Sequence, residues 1–214
     1  MKLYYFPLST YSQKALTAFY EKGVAFTPEI VSLMDPAQRA EYVAKVNRLG
    51  KVPTLVLDDG SIIPESTTII EYLEDHHGDS GTRLIPADRD LARQTRFNDR
   101  NFDLYLNNNM STIFFDGRKP EAERSPRAVA AARAQLDIVY GIYDEHFAKR
   151  TWAIGDAFTM ADCAAAPCLA YLKMVHPYEQ HKHLVAYAGR LAERPSFARV
   201  QHEAAPFMAK MMAG

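Results

Sequence analysis

Cysteine is scarce in this chain. Among 214 residues there are only two, Cys163 and Cys168. They stand five positions apart in one apolar stretch, which matches neither a disulfide framework nor a Cys-x-x-Cys metal or redox motif. We therefore expect two buried core thiols and a reducing, cytoplasmic location.

Long apolar runs and an excess of one charge are also missing. No stretch approaches the roughly 20 apolar residues of a membrane span, and the segment Leu3 to Phe6, ended by Pro7, is too short for the core of a signal peptide. The formal net charge is only -1, which argues against a polyanion or a membrane surface as partner. We predict no nucleic-acid partner and no membrane partner.

The seven histidines do not form a metal-binding pattern. His181 and His183 are two positions apart, which puts them on different sides of a helix. His76 and His77 stand at a predicted helix C-terminus, where the helix dipole favours them. We predict no metal site.

The composition that remains is ordinary for a globular protein, with 48% apolar and 24% charged residues. Residues 1–79 alternate between strand and helix patterns in the order β-α-β-α-β-β-α. A βαβ unit requires a parallel crossover and the later hairpin requires an antiparallel pair. The fold class predicted for 1–79 is α/β, a thioredoxin-like domain with a mixed four-stranded sheet, in which Pro28 puts the second strand at an edge.

Strand patterns end near residue 80. Residues 80–88, with Gly81 and Pro86, are predicted to be a linker. Residues 89–214 are predicted to form an all-helical bundle domain, with helices at roughly 89–116, 121–149, 159–174, 180–193 and 196–211.

Cap residues predict where the first helices begin. Ser12 is expected to cap the first helix. Asp35 precedes a proline suited to the first helical position, Pro36. Ser66 is expected to cap a third helix that ends near Gly78.

Two short stretches carry the predicted chemistry, Gly50 to Leu55 and Pro64 to Thr67. A cis bond at Val52-Pro53 would turn the chain sharply at small cost, and would expose the Val52 N–H and C=O to a peptide lying alongside. The helix N-terminus at Glu65-Ser66 favours a carboxylate ligand, and Glu65 could accept from an ammonium group. This combination suits an α-amino-acid end joined to a peptide.

These residues resemble the glutathione transferase family. The resemblance covers essentially the whole chain and is carried by three runs, Asn47 to Leu55, Glu65 to Leu73, and Phe158 to Asp162. It implies an enzyme with glutathione as co-substrate, a homodimer, and a detoxifying attack of the glutathione thiolate on a small hydrophobic electrophile. It also implies that Thr159 and Asp162 form a buried capping box, which is a folding feature.

The resemblance also implies roles for the two short stretches. The Val52 backbone, next to the cis-proline Pro53, would pair with the cysteinyl unit of glutathione, and Glu65 with Ser66 would hold its γ-glutamyl end. Lys51 would approach the glycine carboxylate. Gln38 and Arg39 fall where some relatives place residues for that same carboxylate.

The thiol activator is expected just after the first strand. Aligning Lys14 with the basic residue of serine-type members, as in phi-like and zeta-like enzymes, makes Ser9 the candidate catalytic residue. A theta-like alignment favours Thr10 instead. Tyr11, Ser12 and Tyr5 are rivals.

The electrophile pocket is expected late in the first long helix, at Tyr105, Met110, Ile113, Phe114 and Phe115. Plain helix core is the alternative for about half of these residues. At the C-terminal end, Met208, Met211 and Met212 could form a flexible lid, since thioethers adapt to varied apolar ligands, or a frayed tail.

The resemblance leaves two other functions open. A zeta-like isomerase or dehalogenase would return glutathione unchanged, but its Ser-Ser-Cys signature stands here as Ser9-Thr10-Tyr11, a poor match. A non-catalytic interaction protein with the same fold often loses the Glu-Ser pair. This chain keeps that pair at Glu65-Ser66, which favours ligand binding.

Overall fold

The structure is a computed structural model that describes residues 1–213. Its strands are β1 Lys2–Tyr5, β2 Thr27–Ile30, β3 Thr54–Val56 and β4 Ile62–Pro64. Its helices are α1 Thr10–Lys22, α2 Pro36–Lys45, α3 Ser66–His76, α4 Arg89–Asn101, α5 Asn108–Asp116, α6 Pro126–Phe147, α7 Met160–Val175, α8 Lys182–Glu193 and α9 Pro195–Ala213.

The strands form one mixed four-stranded sheet in the order β2-β1-β3-β4. β1 runs parallel to β2 and antiparallel to β3, and β3 runs antiparallel to β4. β2 lies at an edge, where the missing N–H of Pro28 costs least. The predicted mixed sheet and the edge position of the second strand are confirmed.

Helix starts agree with the predictions in one case and differ in two. Asp35 caps α2, since its carboxylate accepts from the N–H of Ala37 and Gln38. Ser12 as the cap of α1 was wrong, because the helix starts at Thr10 and Ser9 is the cap. Ser66 as the cap of α3 was also wrong, because Ser66 is the first helical residue and Glu65 is the cap.

The first compact unit comprises residues 1–85 together with α9, from Pro195 onward. Helix α9 packs along α1 in the opposite direction. Ser196 donates to Glu21 near the end of α1, and the Phe207 ring packs edge-on against the Phe6 ring ahead of its start. Between them, the Tyr20 hydroxyl donates to the Glu203 carboxylate at 2.6 Å.

A buried ion pair joins α1 and α3 inside this unit. The Lys22 ammonium lies 3.4 Å from the Glu74 carboxylate, and the two side chains are 0% and 8% exposed. Lys22 also donates to the Gly78 carbonyl, and Glu74 accepts from the N–H of Leu84. The pair therefore also holds the segment that follows α3.

The second compact unit comprises Pro86–Arg194. The predicted single helix over 89–116 was wrong in its middle, because a π-helix at Phe102–Asn107 separates α4 from α5. A short 3₁₀ turn at Glu121–Glu123 precedes α6. The predicted linker and domain boundaries stay predictions.

Several buried polar groups meet at the start of α7 in this second unit. Thr159 and Asp162 make the reciprocal capping box. The fully buried Asp162 carboxylate also accepts from the Ala153 N–H at 2.8 Å and the Tyr187 hydroxyl at 2.7 Å. Both cysteines of α7 are buried.

Candidate functional site

Strand register brings the predicted site segments of the first unit to one end of the sheet. Tyr4 pairs with Thr54, and Thr54 pairs with Pro64. Tyr5 pairs with Ile30 in the parallel neighbour. The segment that follows β1, the one that enters β3 and the one that leaves β4 must therefore meet at this end.

The turn after β1 is tightly fixed. The Ser9 N–H donates to the Phe6 carbonyl, the Phe6 N–H donates to the Ser12 hydroxyl, and the Gln13 amide donates to the Pro7 carbonyl. The Ser9 hydroxyl oxygen accepts from the N–H of Ser12 at 3.3 Å. A hydroxyl has two lone pairs and one proton, so this cap leaves the Ser9 O–H able to donate.

The rival hydroxyls occupy different surroundings. Thr10 and Tyr11, both half-buried, form the first turn of α1. Ser12 is fully buried, with its oxygen engaged by the Phe6 N–H. Tyr5 is 8% exposed within β1, and burial, with a smaller contribution from the Glu203 carboxylate, raises the pKa of its hydroxyl.

The segment that enters β3 leaves Val52 with unpaired main-chain groups. The Val52-Pro53 peptide bond is cis. Among the described residues, no hydrogen bond uses the Val52 N–H or C=O. An extended peptide beside Val52 would find one donor and one acceptor there.

Two cations lie beside this segment. The Arg39 guanidinium lies against the loop at Gly50, since a Cβ atom added to that glycine would be 3.6 Å from Nη2 of Arg39. Arg39 and Lys51 are exposed, and neither cationic group has a hydrogen-bond or ion-pair partner among the described residues. The Gln38 side chain already has two hydrogen bonds. Its amide oxygen accepts from the Ser32 N–H and its amide nitrogen donates to the Asp35 carboxylate.

Glu65 stands at the start of α3 in a strained conformation. Its φ is 70° and its ψ is 124°, and within the described chain it is the only residue other than glycine with positive φ. Such backbone costs of order 1–3 kcal/mol and collects at functional sites. The exposed Glu65 carboxylate and the nearly buried Ser66 hydroxyl have no hydrogen-bond partner in the described part of the chain.

A buried lysine joins the two helix starts. Lys14 is only 1% exposed. Its ammonium group donates a hydrogen bond to the Thr67 hydroxyl at 2.8 Å. Thr67 belongs to the first turn of α3. The Lys14 ammonium therefore lies close to the N-terminus of α3, which already favours anions.

The five candidates for an electrophile pocket lie on the π-helix and on α5. Met110 and Ile113 are buried, and Tyr105 is exposed. The Phe114 ring lies 3.5 Å from the Arg118 guanidinium. A cavity of about 440 Å³ in this unit is lined by Asn108, Ser111, Thr112, Phe115, Asp116, Lys119, Ser125 and Ala128. Its lining therefore includes Phe115 and none of the other four candidates.

Neither a cluster of metal ligands nor a membrane-spanning helix occurs in the part of the chain that the structure describes. Across residues 1–213, no group of three His, Cys, Asp or Glu side chains could hold a metal ion. No helix within that range is long and apolar enough to cross a membrane.

Known proteins resemble this chain over nearly its whole length. The family described as "Glutathione S-transferase, N-terminal domain" matches residues 3–81, and "Glutathione S-transferase, C-terminal domain" matches residues 106–195. Glutathione S-transferase GstA of Escherichia coli O157:H7 is 30% identical over 197 residues, which cover 91% of this chain and 94% of that protein. The chain belongs to the glutathione S-transferase family.

Solved glutathione S-transferases have the same fold. One from Methylobacterium radiotolerans, in complex with glutathione sulfonate, is 30% identical with a TM-score of 0.81 and covers 93% of each chain. One from Methylobacillus flagellatus, with glutathione bound, is 27% identical with a TM-score of 0.84 and covers 93% of this chain and 98% of that one. The predicted family, its enzyme class and the two-part fold class are confirmed.

Sequence reasoning missed two features of the site in this glutathione S-transferase. The positive φ of Glu65 has no local signal, since glycine is the residue that usually marks it. Tyr42 was also missed, although its hydroxyl lies 2.6 Å from the Lys51 carbonyl. It stands nine positions earlier on α2, and only the fold brings it there.

Proposed function

We propose that this chain binds glutathione across the end of the sheet and ionises its thiol for attack on a small hydrophobic electrophile. The observation that carries the proposal is Glu65, which is held at positive φ at the start of α3 and whose carboxylate has no partner within residues 1–213. Strain at one residue beside an anion-favouring helix end is typical of a ligand site.

Each part of glutathione has a complementary group in this arrangement. Glu65 accepts from the γ-glutamyl ammonium, while Ser66 and the α3 N-terminus hold its carboxylate. The Val52 N–H and C=O pair with the cysteinyl unit. Lys51 and Arg39 attract the glycine carboxylate, with Gln38 beside them. Glutathione is a co-substrate here, and no metal takes part.

Ser9 is the proposed thiol activator. Its O–H donates to the sulfur, and the α1 N-terminus adds a favourable dipole. The first turn of the helix carries Thr10 and Tyr11 as alternative donors. This assignment would make the enzyme a serine-type member of its family.

Thiol activation alone gives a modest acceleration. A thiol of pKa about 8.5 is roughly 3% ionised at pH 7, and lowering that pKa by about 2 units requires about 2.7 kcal/mol. The thiolate fraction then rises about 25-fold, but nucleophilicity falls roughly 6- to 10-fold. Most of the remaining rate must come from holding the electrophile beside the sulfur.

Tyr105, Met110, Ile113 and Phe114 are the proposed source of that electrophile pocket. A broad range of apolar substrates would suit an enzyme that detoxifies small molecules in the cytoplasm.

A homodimer is also proposed, since Phe97, Ile138 and Ile142 expose 62%, 59% and 59% of their surface in the helical unit. Light scattering after gel filtration would measure its mass.

Glutathione-affinity resin tests the binding proposal. The wild type should be retained and eluted by free glutathione, and Glu65→Ala should flow through because the ammonium loses its acceptor. Glu179→Ala, which removes an exposed carboxylate from the helical unit, should be retained like the wild type. Flow-through of the wild type would overturn the proposal.

A further inference from the structure

The Lys51 carbonyl is held by side chains from two other segments. The Tyr42 hydroxyl lies 2.6 Å from this oxygen and the Asn47 amide nitrogen lies 3.1 Å from it. Thr54 joins the group, with its hydroxyl 2.8 Å from Tyr42 and 3.0 Å from Asn47. Tyr42, Asn47 and Thr54 are 3%, 8% and 0% exposed.

The Thr54 hydroxyl also lies 3.4 Å from the Lys51 oxygen, but the shorter contacts define one arrangement of protons. Tyr42 donates to the Lys51 carbonyl, and Thr54 donates to Tyr42. The two amide protons of Asn47 go to the Lys51 carbonyl and to Thr54. A carbonyl oxygen accepts two hydrogen bonds, so the Lys51 oxygen is saturated and its direction is fixed.

Fixing this carbonyl also fixes the next N–H. The Lys51 C=O and the Val52 N–H belong to one planar peptide unit. That bond is trans, since the cis bond of this loop is Val52-Pro53. In a trans unit the N–H points opposite to the C=O, so turning the carbonyl toward Tyr42 and Asn47 turns the Val52 N–H away from them. No acceptor for that N–H exists among the described residues.

We propose that Tyr42 and Asn47 are positioning residues that aim the Val52 N–H at the main chain of bound glutathione. The inference rests on the proposed function, because the ligand that receives this N–H is glutathione. Neither side chain need touch the ligand. They act by keeping one peptide unit from rotating, which lowers the ordering cost when an extended peptide pairs beside it.

Tyr42→Phe tests this role by removing one hydroxyl and keeping the ring. We expect the glutathione Kd, measured by titration calorimetry, to weaken about tenfold, which corresponds to about 1.4 kcal/mol. The KM for glutathione should rise with it. The pKa of the bound thiol and kcat at saturating glutathione should stay within twofold of wild type, since Ser9 lies on a separate segment.

A matched control separates positioning from stability. Tyr178→Phe removes another buried tyrosine hydroxyl, one that donates to the Leu169 carbonyl at 3.0 Å in the second unit. Both substitutions should lower the melting temperature, but Tyr178→Phe should leave the glutathione Kd unchanged. A Tyr42→Phe protein that binds glutathione as tightly as the wild type would overturn the inference and leave the proposed function standing.

Hydrogen exchange of the wild type gives a second test that needs no variant. Saturating glutathione should slow exchange of the Val52 amide at least tenfold, because the N–H gains an acceptor. An unchanged Val52 rate in a protein that demonstrably binds glutathione would overturn the inference and the proposed pairing of Val52, while glutathione binding itself would stand. Failure of the wild type to bind glutathione by calorimetry would instead overturn the proposed function on which it rests.

Discussion

The Ser9 hydroxyl oxygen accepts a hydrogen bond from the Ser12 N–H at 3.3 Å. One side chain therefore caps α1 and keeps a proton to donate. Capping and thiol activation use different parts of this hydroxyl, so different substitutions can separate them.

Replacing Ser9 by alanine or by glycine should affect stability and chemistry differently. An N-cap serine costs about 1 kcal/mol when changed to alanine and only a few tenths when changed to glycine. Both variants lose the O–H, so both should raise the pKa of bound glutathione by the same amount, and thiolate absorbance should appear at higher pH. Ser9→Thr keeps the hydroxyl and is the control. If both variants titrate like the wild type, the activator is Thr10 or Tyr11.

Changing Glu65 to glycine should separate backbone strain from ligand binding. Glycine adopts positive φ without steric cost, so relief of about 1–3 kcal/mol of strain should outweigh the roughly 0.5–1 kcal/mol entropic cost of glycine. Glu65→Gly should melt at or above the wild-type temperature and above Glu65→Ala, yet lose retention on glutathione resin. Retention of the glycine variant would show that the carboxylate is not needed.

Removing Glu74 should destabilise the protein strongly. Glu74→Ala leaves the buried Lys22 ammonium with the Gly78 carbonyl as its one remaining partner among the described residues. Breaking a buried pair costs about 3–5 kcal/mol. Urea unfolding measures the change. Glu41→Ala removes the acid of the exposed pair with Lys45 and should have little effect. Equal midpoints for the two variants would contradict the prediction.

Asp162 should make stability depend on pH. Burial raises the pKa of its carboxyl to about 6, although four hydrogen bonds to it act in the opposite direction. The native state thus binds this proton more tightly than the unfolded chain. The protonated Asp162 carboxyl contributes up to about 3 kcal/mol to the free energy of unfolding. This contribution is fully present below about pH 4 and is lost as pH rises through about 6.

Asp162→Asn, which cannot ionise, provides the reference for that measurement. As pH rises from 4 to 7, the unfolding free energy of the wild type should fall relative to that of Asp162→Asn. A difference that is constant across this range would show that the carboxylate stays charged throughout.

Local chemistry explains which parts of the fold were predictable. Pro28 lacks an N–H, so an edge position for its strand follows from the residue itself. Asp35 before Pro36 is a helix start with two agreeing signals. Thr159 with Asp162 is a second helix start, and there the family resemblance supplied the prediction. In each case the group that decides the outcome lies within a few positions along the chain.

The wrong predictions arise where several local choices are equivalent. Ser9 and Ser12 can both cap a helix, and one turn separates the two choices. The helix N-terminus at Ser66 was placed one residue late, because Glu65 takes a backbone conformation that its residue type disfavours. The π-helix at Phe102–Asn107 keeps a helical pattern, so periodicity does not reveal it.

The candidate site was predictable at the residues that a ligand would touch. Val52, Glu65 and Ser66 follow from the chemistry of short runs and from family resemblance. Tyr42 holds a carbonyl nine residues away, and such a contact depends on how α2 packs beside β3. Sequence patterns carry no information about that distance.

The placement of α9 in the first unit has a consequence for synthesis on the ribosome. Residues 1–85 emerge first, but the helix that packs along α1 is made only after Pro86–Arg194. At about 5–20 residues per second, the delay is on the order of 10 s. During that interval the nascent chain exposes the side of α1 around Tyr20, and a second nascent chain could offer its own α9 there.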